Sequence, residues 1–310
     1  MKIGIVGTGH VGSTAAYSLV MQGVGRELVL VDHDRQLADA HVMDIMHATP
    51  FCHPVYVHSG DFPDLEGCAL VILAAGVGQQ PGETRLALLQ RNAVVFADIV
   101  PKVVRHAADA VLLVATNPLD IMTQIATTLA GLPAGRVLGT GTVLDTARFR
   151  TLLGQIYEVA PSSVHAYVAG EHGDSEVLLW SSATVAGIPL AQFSGVCGKP
   201  LTAETKEQVD TNVRRAAYRI IDGKGATYYG IGAARASLSR CILYDERAVY
   251  TCCSVVPNFE GISNVALSLP HVLGRSGIRL TLEPSADHHE RGALRNSAAL
   301  IRDGVSSLGY

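Results

Sequence analysis

An apolar run, Ile3-Gly4-Ile5-Val6, passes straight into Gly7-Thr8-Gly9-His10-Val11-Gly12. A helical pattern over 13–22 follows, and a second apolar run over 28–31 ends on Asp32. This order of strand, glycine turn, helix, strand and acid is that of a dinucleotide-binding βαβ unit, with the acid about 20 residues beyond the turn. Gly7 permits the tight turn, Gly9 lets backbone approach a pyrophosphate, and Gly12 lets the helix pack close to the strand. The helix N-terminus, with His10 and Val11, then faces the phosphate charge. Asp32 suits a ribose hydroxyl and repels a 2′-phosphate, which favours NAD over NADP. A bare glycine turn in an unrelated α/β protein is the competing explanation, and the flanking strands and helix weigh against it. His10 is unusual beside a pyrophosphate and is expected to be solvated.

The alternation continues with a helical pattern over 36–47, strand-like runs at 55–58, 70–74, 111–116 and 136–139, and a helix reaching 105. Helices between strands imply a parallel sheet covered on both faces, and ligands in such sheets bind beyond the carboxyl ends of the strands. Gly7, Asp32, Gly76 and Asn117 fall at those ends. The loop Gly76-Val77-Gly78-Gln79-Gln80-Pro81-Gly82-Glu83-Thr84-Arg85 either closes over a ligand or is an ordinary surface connection. Beyond it, helical patterns occupy 203–221 and 227–243, strand-like runs 248–256 and 263–269, and a terminal helix 286–301.

The chain has 310 residues, enough for two domains, and 48% hydrophobic residues supply a sizeable core. A formal net charge of -4 offers no basic excess for nucleic acid or anionic lipid, so small-molecule chemistry is favoured. The longest uncharged stretch, 177–198, is broken by Gly187 and Pro189 and makes a poor membrane helix. A glycine turn stands where a signal peptide would place its apolar core. The six cysteines show no Cys-x-x-Cys pairing. The expected setting is reducing cytoplasm.

Gly170-Glu171-His172-Gly173-Asp174 places a titratable imidazole between two glycines and two carboxylates. A histidine there moves a proton near neutral pH or is simply solvated. Asp145 and Arg148 stand three residues apart on a helical segment, as a surface ion pair or as an orienting acid and a carboxylate grip. In His288-His289-Glu290 the adjacent histidines point in different directions on a helix, so no metal is expected.

Six segments together resemble the NAD-dependent L-lactate and malate dehydrogenase family in order and spacing, and the bacterial L-lactate dehydrogenases within it most. They are the turn 7–12 with Asp32, the loop 76–85, Thr116-Asn117-Pro118, 144–150, 170–174 and Lys224-Gly225-Ala226-Thr227-Tyr228-Tyr229-Gly230. The resemblance implies an α/β chain: a Rossmann-type doubly wound parallel sheet that binds NAD over residues 1–142, followed by an α+β catalytic domain over 143–310. It implies that His172 donates a proton to a carbonyl while NADH delivers hydride, with Asp145 orienting His172 and holding it protonated. By the same resemblance Arg148 binds the substrate carboxylate, Arg85 polarises the carbonyl, Asn117 and Thr227 line the pocket, and Ile231 lies against the nicotinamide. Gln79 stands where malate dehydrogenases carry arginine, which favours pyruvate and L-lactate over oxaloacetate. Arg150 and His165 match positions that bind fructose 1,6-bisphosphate, and a homotetramer is implied. Leu178 departs from a proline common after the histidine. The alternatives are a malate or broad 2-hydroxyacid dehydrogenase, and a non-catalytic dinucleotide-sensing module that has no need of Asp145, Arg148 and His172 together.

Overall fold

The computed structural model describes residues 1–78 and 82–310; Gln79, Gln80, Pro81 and the side chain of Arg85 lie outside the described residues. The first half alternates as its periodicity predicts: β1 (Lys2–Val6), α1 (His10–Met21), β2 (Glu27–Val31), α2 (Arg35–Ala48), β3 (Tyr56–Ser59), β4 (Cys68–Leu73), α3 (Arg85–His106), β5 (Val111–Val114), α4 (Leu119–Ala130) and β6 (Val137–Gly139). The second half begins with α5 (Val143–Tyr157) and the short strands β7 (Val164–His165), β8 (Val168–Ala169), β9 (Val177–Leu178), β10 (Thr184–Val185) and β11 (Ile188–Pro189). It continues through α6 (Leu190–Val196), α7 (Ala203–Arg214), α8 (Ala216–Lys224) and α9 (Tyr229–Tyr244). It ends with β12 (Val249–Tyr250), β13 (Cys253–Phe259), β14 (Ile262–Ser268), β15 (His271–Gly274), β16 (Gly277–Thr281) and α10 (His288–Ser306).

The strands of the main sheet run in the order β14-β13-β6-β5-β4-β1-β2-β3. The six from the first half are parallel, while β13 joins β6 antiparallel through Cys253 and Gly139 and pairs antiparallel with β14. The second half thus extends the sheet of the first. The single apolar run over 248–256 serves two sheets: β12 pairs with β15, and β13 turns to β6 and β14. Periodicity reports burial but not the partner strand, which is why that run reads as one strand. The pattern over 203–221 likewise resolves into α7 and α8, meeting at Arg215. The helix expected over 13–22 starts at His10.

Strand alternation divides the core. Ile3, Ile5, Leu28 and Leu30 pack with Ala15, Leu19, Leu238 and Ile242 of α1 and α9 on one face. Val29, Val31, Val71 and Leu73 pack with Phe96, Val100 and Met122 of α3 and α4 on the other. A separate cluster around Phe149, Leu153, Val164 and Val209 builds the second half. Helix starts are set by side chains: Asp34 accepts from the Leu37 N–H, Thr84 from Ala87, and Asp287 with Glu290 forms a capping box on α10. Among the described residues no helix is long and apolar enough to cross a membrane.

Candidate active site

The glycine turn follows β1 at the carboxyl edge of the sheet. Gly7 has φ +95°, and a Cβ there would lie 2.3 Å from the Ala75 nitrogen; one on Gly12 would meet the Gly7 carbonyl oxygen at 1.9 Å. Both positions are closed to any side chain. Gly9 caps α1 without a side-chain hydrogen bond, and among the described residues nothing lies within 4 Å of where its Cβ would be. That open face over unpaired helix N–H groups is a cradle for an anion, so the residues present fit a dinucleotide pyrophosphate. Val11 is half-buried. His10 is exposed as expected, but its ring stacks on Tyr228 at 5.6 Å, and the Lys224 ammonium lies 3.1 Å from the centre of the Tyr228 ring.

The Asp32 side chain is 7% exposed. Its Oδ2 accepts from the Thr8 N–H at 2.5 Å and the Thr8 hydroxyl at 2.9 Å, and its Oδ1 from the Asp34 N–H at 3.0 Å. Burial opposes the charge, yet these hydrogen bonds hold the carboxyl below its ordinary pKa. The His33 ring, 2.8 Å from Oδ1 and 97% exposed, is the partner that a ribose hydroxyl can displace at least cost.

Gly76 follows β4, where a Cβ would strike Thr116 at 2.7 Å. Asn92 of α3, only 1% exposed, accepts from the Val77 N–H at 2.8 Å and donates to the Asn117 carbonyl at 3.1 Å, tying the start of the 76–85 loop to the end of β5. Asn117 is exposed there and precedes a cis peptide bond to Pro118. Gln79 and the Arg85 side chain, both expected to touch substrate, fall outside the described residues. The Arg85 backbone begins α3.

Asp145 lies in the first turn of α5 and is 2% exposed. Its Oδ2 meets His172 Nδ1 at 2.6 Å, and its Oδ1 accepts from Arg148 Nη1 at 2.6 Å. The two explanations of Arg148 left open by its spacing are therefore compatible: it pairs with Asp145 and also lines a cavity of about 370 Å³ with Leu144, Thr227 and Ile231. The His172 side chain is 24% exposed. Burial works against its imidazolium, but Asp145, then Asp120 and Glu176, outweigh it and raise the pKa to about 9. Burial likewise opposes the Asp145 carboxylate, while His172 and Arg148 hold its pKa below the ordinary value. At neutral pH the arrangement is a protonated imidazole with Nδ1 committed to a carboxylate and Nε2 left for a reacting group.

Besides Asn92, three supporting groups escaped the sequence reading. Asp120, 2% exposed at the start of α4, accepts from the His172 backbone N–H at 2.7 Å; burial pushes its carboxyl up to about 6. Its one sequence signal is an isolated acid at the head of an apolar helix. Glu176, 3% exposed, is pushed up to about 8 by burial and by Asp145. Ser297 of α10 accepts from the Glu171 N–H at 2.6 Å and shares a hydrogen bond with Ser175 at 3.0 Å. The carboxylates beside His172 have local duties: Glu171 accepts from Ser175 at 2.6 Å and Asp174 from the Tyr218 hydroxyl at 3.0 Å.

Arg150 donates to the Ala166 carbonyl at 2.8 Å and lies over the Tyr167 ring at 4.8 Å, next to the exposed His165 on β7. Among the described residues no group of three or more His, Cys, Asp or Glu side chains is arranged to hold a metal ion.

Both halves of the chain match models of a known protein family. Residues 1–139 match the NAD binding domain of lactate/malate dehydrogenase and residues 142–307 its alpha/beta C-terminal domain. An L-lactate dehydrogenase of Thermus aquaticus is 61% identical over 310 residues, covering 100% of both chains. One of Geotalea daltonii is 53% identical, covering 99% of both. Among solved structures, a lactate dehydrogenase from a Medee basin deep-sea metagenome library superposes with a TM-score of 0.97 at 37% identity, covering 100% of this chain and 99% of that one. The minor L-lactate dehydrogenase of Enterococcus mundtii, in a ligand-bound form, superposes with a TM-score of 0.95 at 37% identity, covering 99% and 98%. The chain belongs to the lactate/malate dehydrogenase family and uses NAD.

Proposed function

We propose that the protein is an L-lactate dehydrogenase, interconverting pyruvate and L-lactate. The observation that carries this reading is the Asp145 carboxylate bridging His172 Nδ1 and Arg148, each at 2.6 Å. Bound NADH supplies a hydride to the carbonyl carbon. His172 gives its Nε2 proton to the carbonyl oxygen as negative charge develops there, and is left as neutral imidazole. Asp145 keeps the ring oriented and protonated until then. Arg148 anchors the substrate carboxylate, Asn117 and Thr227 line the pocket, and Arg85 adds a second cation to the carbonyl oxygen. Gly7, Gly9, His10, Val11 and Gly12 cradle the pyrophosphate, Asp32 takes the ribose, Gly76 and Asn117 border the cleft, and Ile231 backs the nicotinamide. The cofactor half runs over 1–142 and the catalytic half over 143–310.

Pyruvate is favoured over oxaloacetate by Gln79, since a neutral amide accepts a methyl group where a cation would pair a second carboxylate. The test is NADH oxidation with pyruvate and oxaloacetate side by side; a higher kcat/KM for oxaloacetate would reassign the enzyme as a malate dehydrogenase. Gln79→Arg should move preference toward oxaloacetate by at least about tenfold, or about 1.4 kcal/mol. A homotetramer in the cytoplasm is the expected form. Arg150 and His165 would hold the phosphates of fructose 1,6-bisphosphate across a subunit contact. A pyruvate saturation curve that does not move when the sugar bisphosphate is added removes that part of the proposal.

A further inference from the structure

One buried charge in the molecule has no counterpart among the described residues. Arg235 lies on α9, is 2% exposed, and donates through Nη2 to the Ala115 carbonyl at 3.0 Å. Its Nε and Nη1 are buried and have no hydrogen-bond partner among the described residues. Burial alone lowers its pKa, to about 9, so no nearby acid offsets the charge and the side chain is still a cation at neutral pH. Compare two acids buried at the site: Asp145 has both His172 and Arg148, and Asp120 has the His172 N–H. Leaving a buried ion unpaired costs several kcal/mol. A single hydrogen bond to a carbonyl does not offset that.

The location gives the charge a use. Ala115 follows β5 at the carboxyl edge of the sheet, between β4 and β6, and the next residue, Thr116, donates to the Ala75 carbonyl beside Gly76 at 2.6 Å. Arg235 is four residues beyond Ile231, hence on the same face of α9 one turn along. Ile231 lines the cavity shared with Arg148 and Thr227. The sheet edge and the helix face therefore put the guanidinium behind the wall against which the proposed reading seats the nicotinamide. Its atoms are shielded from the cleft, so it acts through its field rather than by contact. In a low-dielectric interior that field reaches further than it would in water.

We propose that the buried charge of Arg235 discriminates between the two redox states of the cofactor, favouring the neutral dihydronicotinamide ring of NADH over the cationic ring of NAD+. The inference rests on the dinucleotide reading above. It predicts that the bias of the protein toward the reduced cofactor is set partly from inside the fold, before substrate arrives.

The test measures dissociation constants for NADH, NAD+ and ADP-ribose, which shares the adenosine diphosphate half and lacks the ring. In the wild-type protein NAD+ should bind no more tightly than ADP-ribose, whereas NADH binds more tightly than both. Arg235→Leu should tighten NAD+ relative to NADH by about tenfold and leave ADP-ribose unchanged. Arg235→Gln should do the same, and Arg235→Lys, which keeps the charge, should retain the wild-type ratio. Because the substitution removes an uncompensated buried ion, Arg235→Leu should unfold at a temperature no lower than wild type. An NAD+ to NADH ratio unchanged in the neutral variants overturns the proposal. Equal weakening of all three ligands also overturns it, by making Arg235 scaffold, as does wild-type NAD+ binding far more tightly than ADP-ribose. Failure of the wild-type protein to bind either NADH or ADP-ribose would instead remove the dinucleotide reading itself.

Discussion

The glycine turn at 7–12 and the histidine turn at 170–174 carry the two halves of the proposed reaction, yet they are built on opposite principles. The first holds its shape because side chains are missing: a Cβ on Gly7 or Gly12 would collide with backbone at 2.3 or 1.9 Å. The second holds its shape because charges and donors are present, brought in by α4, α5 and α10 through Asp120, Asp145 and Ser297. Apart from Gly170, whose φ of +93° also excludes a side chain, the proton-donor turn is broken by removing atoms, and the cofactor turn by adding them. Chain distance follows the same division. The turn and Asp32 lie within one βαβ unit, whereas Ser297 bonds Glu171 across 126 residues.

The contrast is broken hardest by His172→Asn. The imidazole is the group to which the proposed reading assigns the transferred proton, so kcat for pyruvate reduction should fall by about 10³-fold or more. NADH affinity, read by fluorescence titration, should stay within about twofold, because the glycine turn is untouched. A variant that keeps its kcat would mean that His172 is not the proton donor, whereas a wild-type protein that binds NADH without turning over pyruvate, and a variant that binds it equally well, would leave the non-catalytic dinucleotide-sensing alternative.

Asp145→Asn asks what the carboxylate contributes beyond orientation. The His172 pKa, about 9 in the folded protein, should fall toward the ordinary imidazole value of about 6.5. At about pH 8 that change alone lowers the protonated fraction about 30-fold, and the alkaline limb of the pH profile for reduction should move down accordingly. Stability shifts with the same proton. A raised folded pKa contributes stability that is complete below the unfolded value near 6.5 and is lost as pH rises through about 9. The resistance of the wild type to urea should fall across that window, and the Asp145→Asn variant should show a flatter dependence.

Two glycine variants sharpen the other side. Gly12→Ala drives a methyl group into the Gly7 carbonyl and should cost about 1–3 kcal/mol of stability, with NADH binding about tenfold weaker. Gly9→Ala has open space around the new atom, so unfolding should change by less than about 0.5 kcal/mol. The same methyl would occupy the cradle above α1, and NADH should again weaken about tenfold. Equal destabilisation of both variants would show that Gly9 serves folding rather than the cofactor.

The difference between the two turns also explains what could be read in advance. Gly7, Gly12 and Asp32 announce themselves because one local backbone geometry requires them at fixed spacing, and the alternating strands of the parallel sheet do so through their apolar runs. Asp145 and His172 could be paired only through the family resemblance, since no local rule links residues 27 apart. Asn92 and Asp120 gave still less, because a lone polar residue on an apolar helix has no characteristic pattern until its partner strand or loop is in place. The joining of β13 to β6 was hidden for the same reason: alternation reports which side of a strand is buried, and not what lies beside it.

Ser297 supplies the smallest and most discriminating effect. It is fully buried, its hydroxyl accepts from the Glu171 N–H at 2.6 Å, and it shares a hydrogen bond with Ser175. Ser297→Ala leaves that N–H unsatisfied and should cost about 1–2 kcal/mol in urea unfolding. The backbone carrying His172 is still held by Asp120 at 2.7 Å, so loss of alignment should be partial and kcat should fall only about fivefold. The charges around the imidazole are unchanged in this variant. The alkaline limb should therefore remain near pH 9, which separates latching of the loop by α10 from the electrostatics supplied by Asp145. A limb that moved with Ser297→Ala would mean that the latch, and not the carboxylate alone, keeps the proton on His172.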